Sequence, residues 1–161
     1  METIEKKITR GGEFIVKNTD CNEVFTPEDF SEEQQMMKEA VHDFAEKEIW
    51  SKKSEFEKHN YKLTEEVMKK AGDLGFLSVG VPEEYGGLGM SFTSSLLVCD
   101  YISGSSGSTS TAFGAHTGIG TMPILMYGNE NQKKKYVPKL ASGENIGAYC
   151  LTEPSAGSDA N

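Results

Sequence analysis

Residues 149–159 read Tyr-Cys-Leu-Thr-Glu-Pro-Ser-Ala-Gly-Ser-Asp, and this stretch decides how the rest of the chain is interpreted. A short segment that can be extended leads into a loop with a proline, a glycine and several hydroxyl groups. Such a loop can place hydroxyls and backbone N–H groups against the carbonyls and ring nitrogens of a planar heterocycle. An ordinary proline–glycine turn has the same composition, so these residues alone leave both interpretations open. The sequence ends inside this loop, at Asn161, and we therefore expect it to be part of a longer protein.

The charge balance argues against nucleic acid as a partner. The 161 residues carry 16 basic and 25 acidic side chains, which gives a net charge of −9. A phosphate backbone or an anionic membrane surface requires a basic patch, and this balance does not support one. No run of residues approaches the roughly 18 apolar positions of a membrane span. We expect neither nucleic acid nor a membrane span.

The cysteines predict a reduced intracellular protein. Cys21, Cys99 and Cys150 are widely spaced and form no Cys-x-x-Cys pair, which suits small buried thiols better than a disulfide or zinc framework. Residues 1–7 lack the apolar core of a secretory signal and the composition of a transit peptide. Together these features predict a cytoplasmic location.

The first half of the chain shows helix starts and one long amphipathic stripe. Thr26 followed by Pro27 is typical of a helix entry, and Ser31 with Gln34 forms a second capping signal. Apolar side chains then recur at steps of three and four over about 25 residues, which predicts a helix with one buried face. The members of this stripe are Met37, Val41, Phe44, Ala45 and Ile49.

Two further helices and a loop are predicted next. Thr64 is expected to start a helix with Val67, Ala71 and Leu74 on its inner face, ending at Gly75. Ser91 opens another helix, with Leu96, Leu97, Cys99, Tyr101 and Ile102 as its apolar residues. The intervening run from Pro82 to Gly89 is a loop that lacks the spacing of a dinucleotide-binding fingerprint.

In the second half of the sequence, one segment has two possible interpretations. Residues 103–110 are almost wholly Ser, Gly and Thr, which fits either a flexible linker or a helix with a small-residue surface. Pro123 should kink or restart the following helix, and Asn129 with Gln132 should cap the next one. The only convincing strand is 146–151, and the Phe14–Val16 run is at most a strand-like piece. We therefore predict an all-α domain over 26–144, preceded by an arm over 1–25 and followed by the start of a β-domain over 145–161.

The histidines do not suggest a metal site. His42 and His59 lie among charged residues and are expected to be solvated. His116 lies on the glycine-rich apolar stretch, where a lone histidine is most often a hydrogen-bonded core residue. No second ligand stands at metal-binding spacing from it, so we expect no bound metal.

Residues 149–159 resemble the first signature of the acyl-CoA dehydrogenases. The resemblance extends back to about Phe25, through 74–89 and 128–144. It implies an N-terminal helical domain, a middle β-domain and a C-terminal helical domain, with FAD bound where they meet and across a subunit interface. The implied reaction is α,β-dehydrogenation of a fatty acyl-CoA, in which a glutamate takes the α-proton and flavin N5 accepts the β-hydride. Electrons would leave through an electron-transferring flavoprotein.

The resemblance also implies specific site residues. The flavin-contacting positions would be Tyr149, Leu151, Thr152, Gly157 and Ser158, with Ser158 also near the acyl-CoA. Glu153 lies within the signature but does not match the family's base. That base belongs to the C-terminal domain in most members, so no catalytic residue is expected in this chain, and we expect it to be inactive alone.

The helix from Thr111 to Met126 resembles the wall of the family's fatty-acyl pocket. Small residues at Ala112, Gly114, Ala115 and Gly118 would leave a deep pocket, which suggests a long-chain or very-long-chain substrate. Two other interpretations stay open at this point. One is a non-catalytic helical fragment or interaction module, and the other is a relative with different chemistry, such as an acyl-CoA oxidase or a nitroalkane-type flavoenzyme.

Overall fold

The computed structural model describes residues 8–159, divided into two compact units with a boundary between Met36 and Met37. The first seven residues of the predicted arm and the last two residues of the predicted β-domain start, Ala160 and Asn161, lie outside the described residues. The predicted domain limits at 25/26 and 144/145 stay predictions.

In the first unit, the prediction of a strand-like piece at Phe14–Val16 is wrong. Helix α1 (Glu13–Val16) is a single turn, closed by a hydrogen bond from the Lys17 amide to the Glu13 carbonyl. A strand needs a partner backbone to satisfy its peptide groups, whereas a helical turn satisfies them locally. Short 3₁₀ turns follow at Cys21–Glu23 and Pro27–Asp29.

Both predicted capping signals are confirmed. The Thr26 amide donates to the Asp29 carboxylate at 2.8 Å and closes a capping box around the turn that begins with Pro27. Ser31 and Gln34 exchange hydrogen bonds between side chain and backbone at 3.0 and 3.2 Å, immediately before helix α2 (Glu32–Phe44). These contacts satisfy amides that have no partner in the first turn of a helix.

The predicted long helix is present as a series of connected segments. Helix α2 continues through a π-helical turn (Ala45–Ile49) and a 3₁₀ turn (Trp50–Lys52) into α3 (Lys53–Phe56). Within the second unit, four members of the predicted stripe are buried and Met37 is partly buried against the same core. The four are Val41, Phe44, Ala45 and Ile49.

Helix α4 (Tyr61–Asp73) starts three residues before the predicted Thr64. Asn60 is the N-cap, and its side-chain oxygen accepts from the Leu63 amide at 3.2 Å. Gly75 ends the helix region with φ +80°, as predicted. Leu74 is exposed rather than buried, because it is already the C-cap residue where the chain leaves the helix. Met68 fills the core instead.

The region after α4 contains a tight loop and four helices. A 3₁₀ turn (Phe76–Ser78) leads into the predicted glycine loop, with a second 3₁₀ turn at Glu83–Tyr85. The Gly89 and Met90 amides donate back to the carbonyls of Val81 and Val79, both at 2.9 Å, so the loop folds onto its own start. The helices that follow are α5 (Phe92–Ser105), α6 (Gly107–Gly114), α7 (Met122–Tyr127) and α8 (Glu130–Ala141).

The linker interpretation of 103–110 is wrong. Only Ser106 leaves the helical conformation, and α5 and α6 pack against each other on either side of it. The Ser110 hydroxyl donates to the Ser103 hydroxyl at 2.9 Å, which ties the two helices together. The small residues therefore form a helix–helix contact rather than a flexible spacer. Pro123 lies in the first turn of α7, and Asn129 with Gln132 caps α8, both as predicted.

The predicted strand at 146–151 is also wrong. The described residues contain no strand, and their single β-bridge joins Glu153 to Ala156. A strand needs a neighbouring strand for its hydrogen bonds, and the backbone next to this segment is helical. We call residues 145–152 the exit segment.

The cysteines are free, as expected, but their burial was predicted wrongly. Cys99 is partly buried, while Cys21 and Cys150 are exposed. Cys21 lies in a single 3₁₀ turn and Cys150 in the exit segment, and neither position offers a core in which to bury a thiol.

At Gly72, helix α4 comes very close to the backbone that follows α8. A Cβ at this position would collide with the Ser142 carbonyl oxygen just after α8. The absence of a side chain is therefore required for the Ser142 backbone to lie this close to α4. Gly104, on α5, is a matched contrast, because a Cβ there would meet nothing within 4 Å.

We predict that Gly72→Ala lowers the free energy of unfolding by about 1–3 kcal/mol, the usual effect of overpacking. Gly104→Ala should be neutral or stabilising by up to about 1 kcal/mol, because alanine favours the helix. Urea unfolding followed by circular dichroism measures both. Equal stability of the two variants would contradict the close approach of Ser142 to Gly72.

Candidate functional site

The centre of the candidate site is a π-helical turn, Ala115–Thr121, between α6 and α7. Two threonines brace it from within. The Thr117 hydroxyl donates to the Phe113 carbonyl at 2.9 Å, and the Thr121 hydroxyl donates to the His116 carbonyl at 2.7 Å. Turns of this type widen a helix locally and are frequent at functional sites. The two hydroxyls add side-chain hydrogen bonds to its backbone.

One face of the π turn lines an apolar cavity of about 360 Å³. The volume is within the range of small-molecule sites. Nearly all of the lining side chains are apolar, and the lining includes no acidic side chain and no histidine. The residues are Phe76, Leu77, Val79, Gly80, Val81, Met90, Phe92, Ser95, Leu96, Cys99, Phe113, Gly114, Thr117, Gly118 and Met122.

The cavity contains some of the small residues expected at an acyl pocket and omits others. Gly118 and Gly114 line it, and a Cβ on either would meet nothing within 4 Å. Ala112 instead packs against the hydrophobic core, and Ala115 is partly buried outside the lining. Leu96 and Cys99, on α5, also line the cavity and were not selected from the sequence. Their helical spacing was visible, but apolar residues at that spacing equally indicate core.

The opposite face of the π turn holds the exit segment. His116 is fully buried, and its ring bridges two distant parts of the backbone. Nε2 lies 3.0 Å from the Leu140 carbonyl at the end of α8, and the Gly147 amide donates to Nδ1 at 2.9 Å. The prediction of a hydrogen-bonded core histidine is confirmed.

The histidine is kept neutral by its surroundings. Burial lowers the pKa of the His116 imidazole from its ordinary value of 6.5, and the hydrogen bond with Leu140 partly opposes this shift. A buried imidazolium would lose its hydration without gaining a counter-charge.

Two glycines allow the exit segment to approach the π turn. A Cβ on Gly120 would lie 2.7 Å from the Gly147 carbonyl carbon, and one on Gly147 would lie 3.0 Å from the Gly120 Cα. The Asn145 amide adds a hydrogen bond to the Lys139 carbonyl at 3.0 Å. These glycines were not selected from the sequence, since their pairing depends on residues 27 positions apart meeting in space.

The predicted flavin-contacting residues follow this contact and are all exposed. Tyr149 and Leu151 are 54% and 50% exposed, and Thr152, Gly157 and Ser158 lie on the surface as well. Reciprocal backbone hydrogen bonds between Glu153 and Ala156, at 2.9 and 3.1 Å, close the loop into a tight turn. Thr152 and Gly157 therefore flank the ends of one turn, with Ser158 next to Gly157.

Comparison with known proteins decides the family. The family model described as "Acyl-CoA dehydrogenase, N-terminal domain" matches residues 31–144. The chain belongs to the acyl-CoA dehydrogenase family. Its helical part is the N-terminal domain of that family, as the resemblance implied.

Individual acyl-CoA dehydrogenases extend the likeness over nearly the whole chain. A probable acyl-CoA dehydrogenase of Bacillus subtilis is 45% identical over 153 residues, which are 95% of this chain and 26% of that protein. Mitochondrial isovaleryl-CoA dehydrogenase of Pongo abelii is 40% identical over 80% of this chain and 31% of its own length. A crystal structure of acyl-CoA dehydrogenase complexed with FAD from Bacillus anthracis superposes with a TM-score of 0.84 at 45% identity, covering 94% of this chain and 26% of that one. The present chain thus spans about a quarter to a third of these relatives.

Two further properties of the described residues bear on the site. None of the helices between residues 8 and 159 has the length and apolar character that a bilayer crossing requires. The same residues hold no group of three or more His, Cys, Asp and Glu side chains arranged for a metal ion.

Proposed function

We propose that this chain forms the acyl-binding wall and one flavin-contacting segment of an FAD-dependent acyl-CoA dehydrogenase that desaturates fatty acyl-CoA thioesters in β-oxidation. The observation that carries the proposal is the two-faced π turn. Thr117 and Gly118 line an apolar cavity, while His116 and Gly120 hold the segment that leads to residues 149–158. A dehydrogenase of this type has to bring an apolar chain and a flavin to one place, and the π turn connects the two surfaces.

The exposed end of the chain fits a flavin in its chemistry. The Thr152 and Ser158 side chains make no hydrogen bond to any other residue in the described part of the chain, so both hydroxyls remain available as donors. Tyr149 and Leu151 offer apolar surface of the kind that packs on a ring system. Bound FAD would supply the hydride acceptor, which none of the protein's side chains can provide. Ser158 would also lie near the acyl-CoA.

The cavity also suggests what this chain lacks. Removal of an α-proton from a thioester requires a base within hydrogen-bonding reach. The cavity lining contains no carboxylate and no imidazole, and Glu153 belongs to the exposed turn instead. We propose that the base lies outside residues 1–161 and that this chain alone is inactive.

Further parts of the proposal rest on family membership alone. They are transfer of electrons to an electron-transferring flavoprotein and homo-oligomerisation of the complete enzyme. A cytoplasmic location is proposed from the three free thiols.

We predict that the purified 161-residue chain retains no stoichiometric flavin after mixing with FAD and desalting. It should also reduce no artificial electron acceptor in the presence of an acyl-CoA. The absorbance spectrum and a dye-reduction assay measure these two properties. A yellow protein with acyl-CoA-dependent dye reduction would contradict the inactivity of the chain.

The acyl chain is proposed to be long. Gly114 and Gly118 leave part of the cavity open that larger side chains would fill. Cys99 lines the same cavity and is partly buried, so its thiol can report occupancy. In a background with Cys21→Ser and Cys150→Ser, it is the remaining cysteine.

We predict that palmitoyl-CoA slows alkylation of Cys99 by N-ethylmaleimide, roughly tenfold at about ten times its Kd, since only the free fraction reacts. Coenzyme A alone should not slow it. Gly118→Leu should abolish protection by palmitoyl-CoA but retain protection by octanoyl-CoA, because the leucine side chain would occupy part of the cavity and shorten the acyl chain that it accepts. Gly104→Leu is the matched control, because a Cβ at Gly104 also meets nothing within 4 Å and Gly104 does not line the cavity.

Two results would contradict this assignment. Equal protection by coenzyme A and palmitoyl-CoA would show that the cavity does not bind the acyl chain. An unchanged chain-length profile in Gly118→Leu would show that Gly118 does not determine the length of acyl chain accepted.

A further inference from the structure

His116 does not line the cavity, and its ring instead makes hydrogen bonds to two backbone groups. Its ring is fully buried and joins Leu140, at the end of α8, to Gly147, in the exit segment. The partners are 24 and 31 residues away in sequence. Both are main-chain groups, so the histidine acts on the path of the backbone rather than on another side chain.

The two partners fix the protonation state of the ring. The Gly147 amide can only donate, so Nδ1 has to accept and carries no proton. The Leu140 carbonyl can only accept, so Nε2 has to carry the proton and donate. The neutral Nε2–H form is the one arrangement that satisfies both groups.

We infer that His116, in its neutral Nε2–H form, is the positioning residue that sets the course of the flavin-contacting segment as it leaves the wall of the acyl cavity. This role rests on the proposed function of residues 149–158. Beyond Gly147, the exit segment makes no further hydrogen bond within the described chain until the Glu153–Ala156 turn. Gly147 is therefore the last hydrogen-bonded residue before that turn, and the direction of the backbone at Gly147 sets the direction in which the chain continues toward Thr152.

The packing around His116 restricts where the exit segment can lie. Gly120 and Gly147 are in backbone contact beside the ring, and the Thr121 hydroxyl satisfies the His116 carbonyl. The exit segment can therefore be held at the depth at which its amide reaches Nδ1. Loss of that hydrogen bond would leave a buried acceptor unpaired, which is unfavourable.

Charged side chains on the neighbouring elements do not account for the protonation state of His116. The elements that pack against the π turn include α6, α7, the 3₁₀ turn Phe76–Ser78 and α8. The first three contribute no charged side chain, and their one titratable group, Tyr127, is 82% exposed. On and just after α8, Lys133 pairs with Glu130 and Lys139 pairs with Glu144, while Lys134, Lys135 and Tyr136 are exposed.

Protonation would reverse the contact with Gly147. A proton on Nδ1 would point at the amide hydrogen of Gly147, so two donors would oppose each other. Burial holds the pKa of His116 below its ordinary value of 6.5. The contact is therefore complete above that value and is lost as the pH falls through the lowered pKa.

Two substitutions separate the two hydrogen bonds. The side-chain oxygen of asparagine occupies nearly the place of Nδ1, so H116N can still accept from Gly147 but cannot donate to Leu140. The side-chain amide nitrogen of glutamine occupies nearly the place of Nε2, so H116Q can still donate to Leu140 but cannot accept from Gly147. Neither side chain titrates.

The test is amide hydrogen exchange of Gly147 in the 161-residue chain, expressed as a protection factor from about pH 7.5 down to the lowest pH at which the chain stays folded. In the wild type, protection should be high at the upper pH and should fall as His116 protonates. H116Q should lose roughly tenfold in protection at every pH, in line with one lost hydrogen bond. H116N should keep protection and should lack the fall at low pH. H59Q controls for removal of an exposed histidine and should match the wild type.

Several results would overturn the inference. One is wild-type protection of Gly147 in H116Q, and another is a fall at low pH in H116N that equals that of the wild type. If a variant does not fold, the nitrogen resonances of the wild-type His116 ring show which nitrogen carries the proton. A proton on Nδ1 at neutral pH would refute the inference. No flavin or acyl-CoA is present in these measurements, so their failure is separate from failure of the proposed function.

Discussion

The backbones of Gly120 and Gly147 touch, and the rest of the candidate site depends on this contact. A Cβ on Gly120 would lie 2.7 Å from the Gly147 carbonyl carbon, a distance that real side chains do not adopt. Next to the contact, His116 accepts from the Gly147 amide and reaches the end of α8 with its other nitrogen. Steric fit and hydrogen bonding thus act on the same residue. Together they attach an otherwise exposed segment to the helical unit.

The π turn explains why the contact and the cavity occur together. A π turn widens the helix locally and changes the directions in which successive residues point. In Ala115–Thr121 the His116 carbonyl also accepts a hydrogen bond from the Thr121 hydroxyl. The same short element can then place Gly118 at the cavity and Gly120 at the exit segment. A substitution on one face of the turn can therefore affect the other face, since only a few residues separate them.

Much of the helical architecture was predictable because its signals are local. The capping pairs at Thr26, Ser31 and Asn129 act over three residues, and the buried stripe of α2 repeats with the period of the helix. Errors arose where a partner distant in sequence decides the structure. The exit segment has the composition of a strand but lies against a helical turn, and the serine- and glycine-rich stretch packs as two helices rather than forming a linker.

The candidate site divides in the same way. Gly118 could be expected to line a pocket because it shares a helix with other small residues. Ala112 has the same chemistry but faces the core, and composition cannot distinguish the two positions. His116 could be identified as a core histidine, but its partners could not, since Leu140 and Gly147 meet it only after α8 has packed. The flavin-contacting residues stay predictions from the family pattern.

One measurement tests the central contact directly: the nuclear Overhauser effect between the α-protons of Gly120 and Gly147 in the folded 161-residue chain at neutral pH. The structure predicts a strong cross-peak, because the two backbones are in van der Waals contact. A well-resolved spectrum in which both residues are assigned and no cross-peak joins them would contradict the account. In that case the exit segment would not lie on the π turn, and the connection between the cavity and the residues proposed to contact the flavin would be lost.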